Sequence, residues 1–149
     1  MRYLLITMII FSGCGANNRS SVTVDPALQP YFTSFESDVG VSTFGISANF
    51  SNTETQTNPL GETIGECVMY SDGTKIIQID ASFWATLDQN GKTELMYHEL
   101  GHCAMNMVHI NTIQAGGCPV SIMNQYFFGE SDCYSGSVEY YYQELSSHT

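Results

Sequence analysis

The chain has 149 residues, of which 15 are acidic and 4 are basic, so that its formal net charge is −11. This length suits one domain built around one core. The acidic balance argues against binding to nucleic acid and against electrostatic attachment to an anionic bilayer, because both need clustered lysine and arginine.

The first residues are typical of an export signal. Arg2 precedes an apolar run over residues 3–11, which is too short to span a bilayer. The run ends at Phe11-Ser12-Gly13-Cys14 and resembles a bacterial lipobox, in which small residues precede a cysteine that is lipidated and becomes the first residue of the mature chain. The alternative is an ordinary secretory peptide with a chance cysteine.

The lipobox resemblance implies a layout and a location. Residues 1–13 would be the signal peptide, residues 14–24 the lipid anchor and a small, polar tether, and residues 25–149 the folded domain. Gly15 follows the cysteine, and lipoproteins without aspartate there usually go to the outer membrane. We therefore expect an exported protein of a Gram-negative cell envelope, held in the outer membrane by its lipid.

The folded part begins with a predicted helix over residues 26–39. Asp25 suits the N-cap, Pro26 suits the first helical position, and Gly40 suits the end. Residues 44–50 alternate apolar and small side chains, which indicates a strand. The Thr- and Asn-rich stretch 51–58 is typical of a loop.

A hairpin is the clearest β signal. Residues 65–70 and 75–79 are β-prone and flank Asp72-Gly73, a sequence that favours a tight turn. Residues 80–87 would leave the sheet, with Trp84 anchored in the core.

Three of the four histidines lie within twelve residues, on and just after a helix predicted over residues 93–105. His98 and His102 are four positions apart and therefore share one helical face, where both can bind one metal ion. Glu99 follows the first histidine and suits a general base beside the metal. His109 is the candidate third ligand, because Asn106 tolerates a left-handed turn that would bring the chain back.

The pattern resembles the metzincin zinc peptidases, whose motif is H-E-x-x-H-x-x-G-x-x-H followed by a methionine turn. Here Asn106 replaces the glycine one residue late, and His109 is also one residue late, with Val108 in the usual ligand position. One extra helical residue explains both shifts. The resemblance implies one catalytic zinc ion held by the three histidines.

The resemblance extends to Ser121-Ile122-Met123. It implies that Met123 is the methionine of the turn, which forms an apolar floor below the histidines. Some metzincins place a tyrosine two residues after that methionine, near the zinc. Here Tyr126 comes three residues after it and is a candidate for a transition-state or supporting role.

Other ligands are available in principle. A later glutamate completes the site in some zinc peptidases, although no accompanying motif marks one here. Cys103 is rotated about 100° from His102 on the helix and should face elsewhere. His148 is expected to be a solvated residue of the tail. The candidate glutamates are Glu130, Glu139 and Glu144.

Four cysteines remain once Cys14 is set aside, and an even set in an exported chain favours disulfides. Three pairings are possible. We predict Cys118–Cys133, which would close a short loop around Met123, and then Cys67–Cys103, which would tie a strand to the histidine helix. Buried free thiols are the alternative.

A last helix over residues 137–145 closes the domain. The order of helix, small twisted sheet, histidine helix, irregular loop and closing helix predicts an α+β fold and fits a minimal zincin. The resemblance implies that an edge strand lies along the cleft and pairs with an extended substrate, and residues 67–70 are the candidate for that edge. We therefore expect a monomeric, lipid-anchored zinc endopeptidase acting on peptides or proteins, with no nucleic-acid partner. The alternative is a non-catalytic zinc-binding or structural lipoprotein.

Overall fold

The computed structural model describes residues 4–11, 21–51, 57–58 and 61–149. The predicted lipidation site at Cys14 and most of the loop predicted over residues 51–58 lie outside the described residues. Within the described part of the chain, no helix is long and apolar enough to cross a membrane.

A mixed sheet forms one layer of the molecule. Its strands are β1 (Leu4–Phe11), β2 (Ile46–Ser51), β3 (Thr57–Asn58), β4 (Gly61–Tyr70) and β5 (Lys75–Asp80). The order is β1-β4-β5-β2, and β3 pairs with the start of β4. β4 runs antiparallel to β5, whereas β2 is parallel to β5 and β1 is parallel to β4. β4 is therefore paired on both sides in the full chain, and the prediction that residues 67–70 form a sheet edge was wrong for it, because β1 pairs with them.

The predicted hairpin between β4 and β5 is confirmed. Gly73 adopts a φ of 87°, which few other residues tolerate, and the Asp72 carboxylate accepts a hydrogen bond from the Thr74 N–H at 2.9 Å. The hairpin sets the register in which Ile77 and Ile79 face the core and are fully buried.

In the described part of the chain, five helices accompany the sheet: α1 (Gln29–Val39), α2 (Ala81–Thr86), α3 (Gln89–Met105), α4 (Asp132–Ser135) and α5 (Val138–Ser146). The predicted start of α1 was wrong by three residues, because the Asp25 carbonyl and carboxylate first hold a turn. α1 ends where expected, at Gly40. α3 begins four residues early, because the Asp88 carboxylate caps it at the Gly91 N–H, 2.8 Å away.

α3 is the central element, and Leu95 and Leu100 on it are fully buried. It packs against β4 and β5 on one side, and it also contacts α1 and α4. A disulfide between Cys67 on β4 and Cys103 on α3 fixes the helix to the sheet. The α+β class is thus confirmed, and the layout is consistent with a minimal zincin-like domain.

Candidate metal centre

Three imidazoles converge at one point. The Nε2 atoms of His98 and His102 lie 3.0 Å apart, and each lies 3.2 Å from Nε2 of His109. His98 and His102 project from consecutive turns of α3, and His109 reaches them from the loop that follows. Among the described residues, these three form the one group of histidine, cysteine and acidic side chains placed to hold a metal ion.

The Nδ1 atoms of His98 and His102 determine that the lone pairs of these rings lie on Nε2. Nδ1 of His98 lies 2.9 Å from the Ile122 carbonyl oxygen, and Nδ1 of His102 lies 2.7 Å from that of Met107. A carbonyl oxygen only accepts, so each Nδ1 carries the hydrogen and donates it. The Nε2 atoms of both neutral rings then present bare lone pairs to each other. A cation between them turns this repulsion into binding.

The spacing fits a tetrahedral ion. With metal–nitrogen bonds of about 2.0–2.1 Å, as zinc prefers, two nitrogen ligands of a tetrahedron lie about 3.3 Å apart. The observed separations of 3.0–3.2 Å are close to that value. Three protein nitrogens would leave such an ion a fourth position for water or a substrate oxygen.

The turn after α3 brings His109 back as predicted. Asn106 adopts the left-handed conformation, with φ 55° and ψ 29°, and is the single non-glycine residue with positive φ in the described chain. Its N–H donates to the His102 carbonyl, and the next N–H, of Met107, donates to the Gly101 carbonyl. The same turn therefore ends the helix and aims the Met107 carbonyl at the His102 ring.

Lys75 supports this turn from the sheet. Its ammonium donates to the Cys103 carbonyl at 2.6 Å and to Oδ1 of Asn106 at 3.2 Å. A cation at the C-terminus of a helix also complements the helix dipole. Sequence reasoning did not find Lys75, because nothing in the local sequence links the start of a strand to a helix end about thirty residues later.

Met123 packs against α3 at Gly101, and its role as a floor below the histidines stays a prediction. It is fully buried, and a Cβ built on Gly101 would collide with its sulfur, so the methionine lies directly against α3 beside His102. The Met123 carbonyl accepts from the Ile110 N–H at 2.8 Å, which ties the turn to the loop carrying His109. Gly101, between the two helical histidines, is thus required by close packing.

The methionine turn is anchored to α5. The Ser121 hydroxyl accepts from the Met123 N–H at 3.0 Å and donates to Oε2 of Glu144 at 2.8 Å. The Tyr141 hydroxyl donates to the Pro119 carbonyl, and the Cys118–Cys133 disulfide closes the loop. Both predicted disulfides are therefore present.

Tyr126 follows the methionine turn and is half-buried. Its N–H donates to Oδ1 of Asn124 at 2.9 Å, which fixes the backbone of this segment. A role of its phenol near a bound metal stays a prediction.

Glu99 is the buried acid beside the histidines. Its side chain is fully buried, and neither carboxyl oxygen has a hydrogen-bond partner among the described residues. Burial raises the pKa of this carboxyl well above its usual range, and the charge of Glu66 raises it further. A divalent cation held by the adjacent imidazoles would oppose both effects by favouring the ionised form.

The imidazoles are held neutral. Burial lowers the pKa of His98 well below its ordinary value and also lowers that of His102. Burial, with the nearby charge of His102, lowers the pKa of His109 to about 4. Neutral imidazole is the form that binds metal, so the site is prepared for an ion at neutral pH.

The alternative ligands are engaged elsewhere. Glu144 accepts from both Ser121 and His148, and Cys103 is in its disulfide. The Glu130 carboxylate accepts from the Asp88 N–H, and that of Glu139 accepts from the Gln143 amide. A third ligand from a later glutamate is therefore not supported.

Comparison with known proteins agrees with this chemistry at a coarse level. Residues 53–123 are similar to a family described as "Putative phage metallopeptidase". The match covers just under half of the chain and contains all three histidines, Glu99 and Met123. No curated protein and no solved structure matches the chain. The family match and the histidine cluster together support a metallopeptidase.

Proposed function

We propose that this chain is a zinc-dependent endopeptidase of metzincin-like type, exported and anchored to the cell envelope by a lipid on Cys14. The observation that carries the peptidase proposal is the convergence of three neutral imidazole nitrogens at the helix that also carries Glu99, whose buried carboxyl group has no hydrogen-bond partner among the described residues. The similarity of residues 53–123 to a metallopeptidase family supports it independently.

The proposal assigns separate tasks to these residues. His98, His102 and His109 hold the ion, and the Ile122 and Met107 carbonyls orient two of the rings. A zinc ion there would supply a Lewis acid that acidifies water and polarises a peptide carbonyl.

Glu99 takes up the proton of the attacking water and passes it to the departing amine nitrogen. No described residue forms a hydrogen bond with its carboxyl oxygens, which leaves the carboxylate available for that transfer. A site that only held a metal ion would not need a buried carboxyl group at this position. Burying a carboxyl group without a hydrogen-bond partner costs free energy.

The substrate is proposed to bind as an extended strand along β4. In the full chain, β1 occupies that edge. If residues 1–13 are removed by cleavage before Cys14, β1 is lost. The edge of β4 that faces away from β5 then becomes free to pair with a peptide.

The competing function is a metal-binding lipoprotein without catalysis, and one pair of proteins separates the two. The parent and Glu99→Ala are loaded with zinc, assayed for zinc content, and incubated with a mixed peptide pool. We expect equal zinc in both, and cleavage lower by about 10²–10⁴-fold in the variant, as is typical of losing a general base. A zinc-loaded parent that cleaves nothing across the pool would favour the metal-binding function.

A further inference from the structure

We infer that Gly65, on β4, is a positioning residue for Glu99: its missing side chain provides the space in which the Glu99 carboxyl group lies. The inference rests on the proposed function, in which Glu99 acts as the general base. It adds to that function a residue outside the histidine motif, 34 positions earlier in the chain.

The distances define the space. A Cβ built on Gly65 would lie 2.9 Å from Oε1 of Glu99 and 3.2 Å from its Cγ. It would also lie 3.0 Å from Cδ1 of Leu95, one helical turn earlier. Gly65 is not among the residues with positive φ. The position therefore requires glycine for lack of space and not for backbone conformation.

The surroundings of this contact cannot easily move. Leu95 and Glu99 are both fully buried, and cores are packed too densely to absorb a methyl group without displacement. The Cys67–Cys103 disulfide lies two residues further along β4 and four residues further along α3, so the helix cannot retreat from the strand. An added methyl group must therefore displace the carboxyl group of Glu99, whose Oε1 is the atom nearest to the methyl group.

The expected consequence is selective. A displaced Glu99 carboxyl group slows proton transfer, because a misplacement of about 1 Å can cost about 10²-fold in rate. The histidines keep their own supports, since the rings of His98 and His102 are held by carbonyls of other segments. Zinc content should therefore change little. Substrate binding should also change little, because the added methyl group faces α3 and leaves the backbone of β4 free to pair.

Three glycine-to-alanine variants of the zinc-loaded protein test this. Gly65→Ala should lower kcat by about 10- to 100-fold with nearly unchanged KM and zinc stoichiometry. Gly116→Ala is the neutral control, because a Cβ there meets nothing within 4 Å. Gly136→Ala is the crowded control, because its Cβ would lie 2.9 Å from the Asp132 carbonyl, away from Glu99. Parent-like kcat in Gly65→Ala, or an equal loss of kcat in Gly136→Ala, would overturn the inference.

A second readout does not need activity. Thermal unfolding of the parent, Gly65→Ala, Glu99→Ala and the double variant forms a cycle. Gly65→Ala should lower Tm by several degrees in the parent and by clearly less when Glu99 is already alanine, because the closest clash is then gone. Equal Tm losses in both backgrounds would refute the contact. A parent that binds zinc without cleaving would refute the proposed function alone, and the cycle would still decide the inference.

Discussion

At the scale of single residues, the site depends on Asn106, whose left-handed backbone brings His109 to the other two histidines. Asn106→Gly should keep this conformation, whereas Asn106→Ala keeps the Cβ but loses the polar side chain that lets asparagine adopt it, at a cost of about 1 kcal/mol. Both variants lose the hydrogen bond from Lys75 to the Asn106 side chain, but Lys75 still donates to the Cys103 carbonyl. We therefore expect zinc affinity close to the parent's in the glycine variant, and lower stability and zinc affinity in the alanine variant. Urea unfolding and competition with a zinc chelator measure both quantities. An alanine variant that matched the parent in both would show that the turn does not depend on this residue.

The lowered pKa of His109 predicts that the free energy of unfolding of the metal-free protein depends on pH. Its pKa is lowered to about 4, so between pH 6.5 and 4 the unfolded chain binds more protons at this residue than the folded chain does. Its contribution to the free energy of unfolding is therefore complete above pH 6.5 and is lost as the pH falls towards 4. His109→Gln should lose less stability than the parent over this range. Parallel stability curves for the two proteins would contradict the lowered pKa.

The residues that sequence alone could identify are those whose partners are close in the chain. His98 and His102 share a helical face by spacing alone, and Asn106 with His109 continues the pattern. Gly65 and Lys75 were missed, because a glycine or a lysine in a strand has no local signal for a helix that packs against it.

At the scale of elements, the methionine turn is fixed by its attachments to α4 and α5. The Cys118–Cys133 disulfide closes a loop with a sequence separation of 15, and removing such a bridge costs about 3 kcal/mol of unfolding free energy. Cys118→Ala/Cys133→Ala should show this loss in chemical denaturation. The folded variant should still bind zinc, because the Ser121–Glu144 and Tyr141–Pro119 hydrogen bonds remain. Loss of zinc from the folded variant would mean that the disulfide itself shapes the site.

Element ends show where sequence patterns fail. The ends of α1 and α3 were predicted correctly, because Gly40 and Asn106 are left-handed terminators. Their starts were misplaced, because Asp25 holds a turn before α1 and because Asp88 caps α3 earlier than the sequence pattern indicated. α4 was not predicted at all, since a four-residue helix held by a disulfide has no periodic signal of its own.

At the scale of the whole molecule, the proposed lipid on Cys14 connects the domain to a membrane. The chain has a net charge of −11, so electrostatic attraction to anionic lipid cannot replace that anchor. Cys14→Ser should therefore move the protein from the membrane fraction to the soluble fraction of cells that export it. Unchanged fractionation would remove the support for lipidation.

The most direct test of the central claim is X-ray absorption spectroscopy at the zinc edge on the purified, zinc-loaded protein, with His148→Ala and His109→Ala beside the parent. We predict one zinc ion per chain, three imidazole nitrogens at about 2.0–2.1 Å and one oxygen in the parent, because three Nε2 atoms converge there. His148→Ala should give the same spectrum, since His148 is paired with Glu144. His109→Ala should lose one imidazole and bind zinc more weakly. A parent spectrum with two imidazoles and a carboxylate or sulfur in the third position would contradict the three-histidine site.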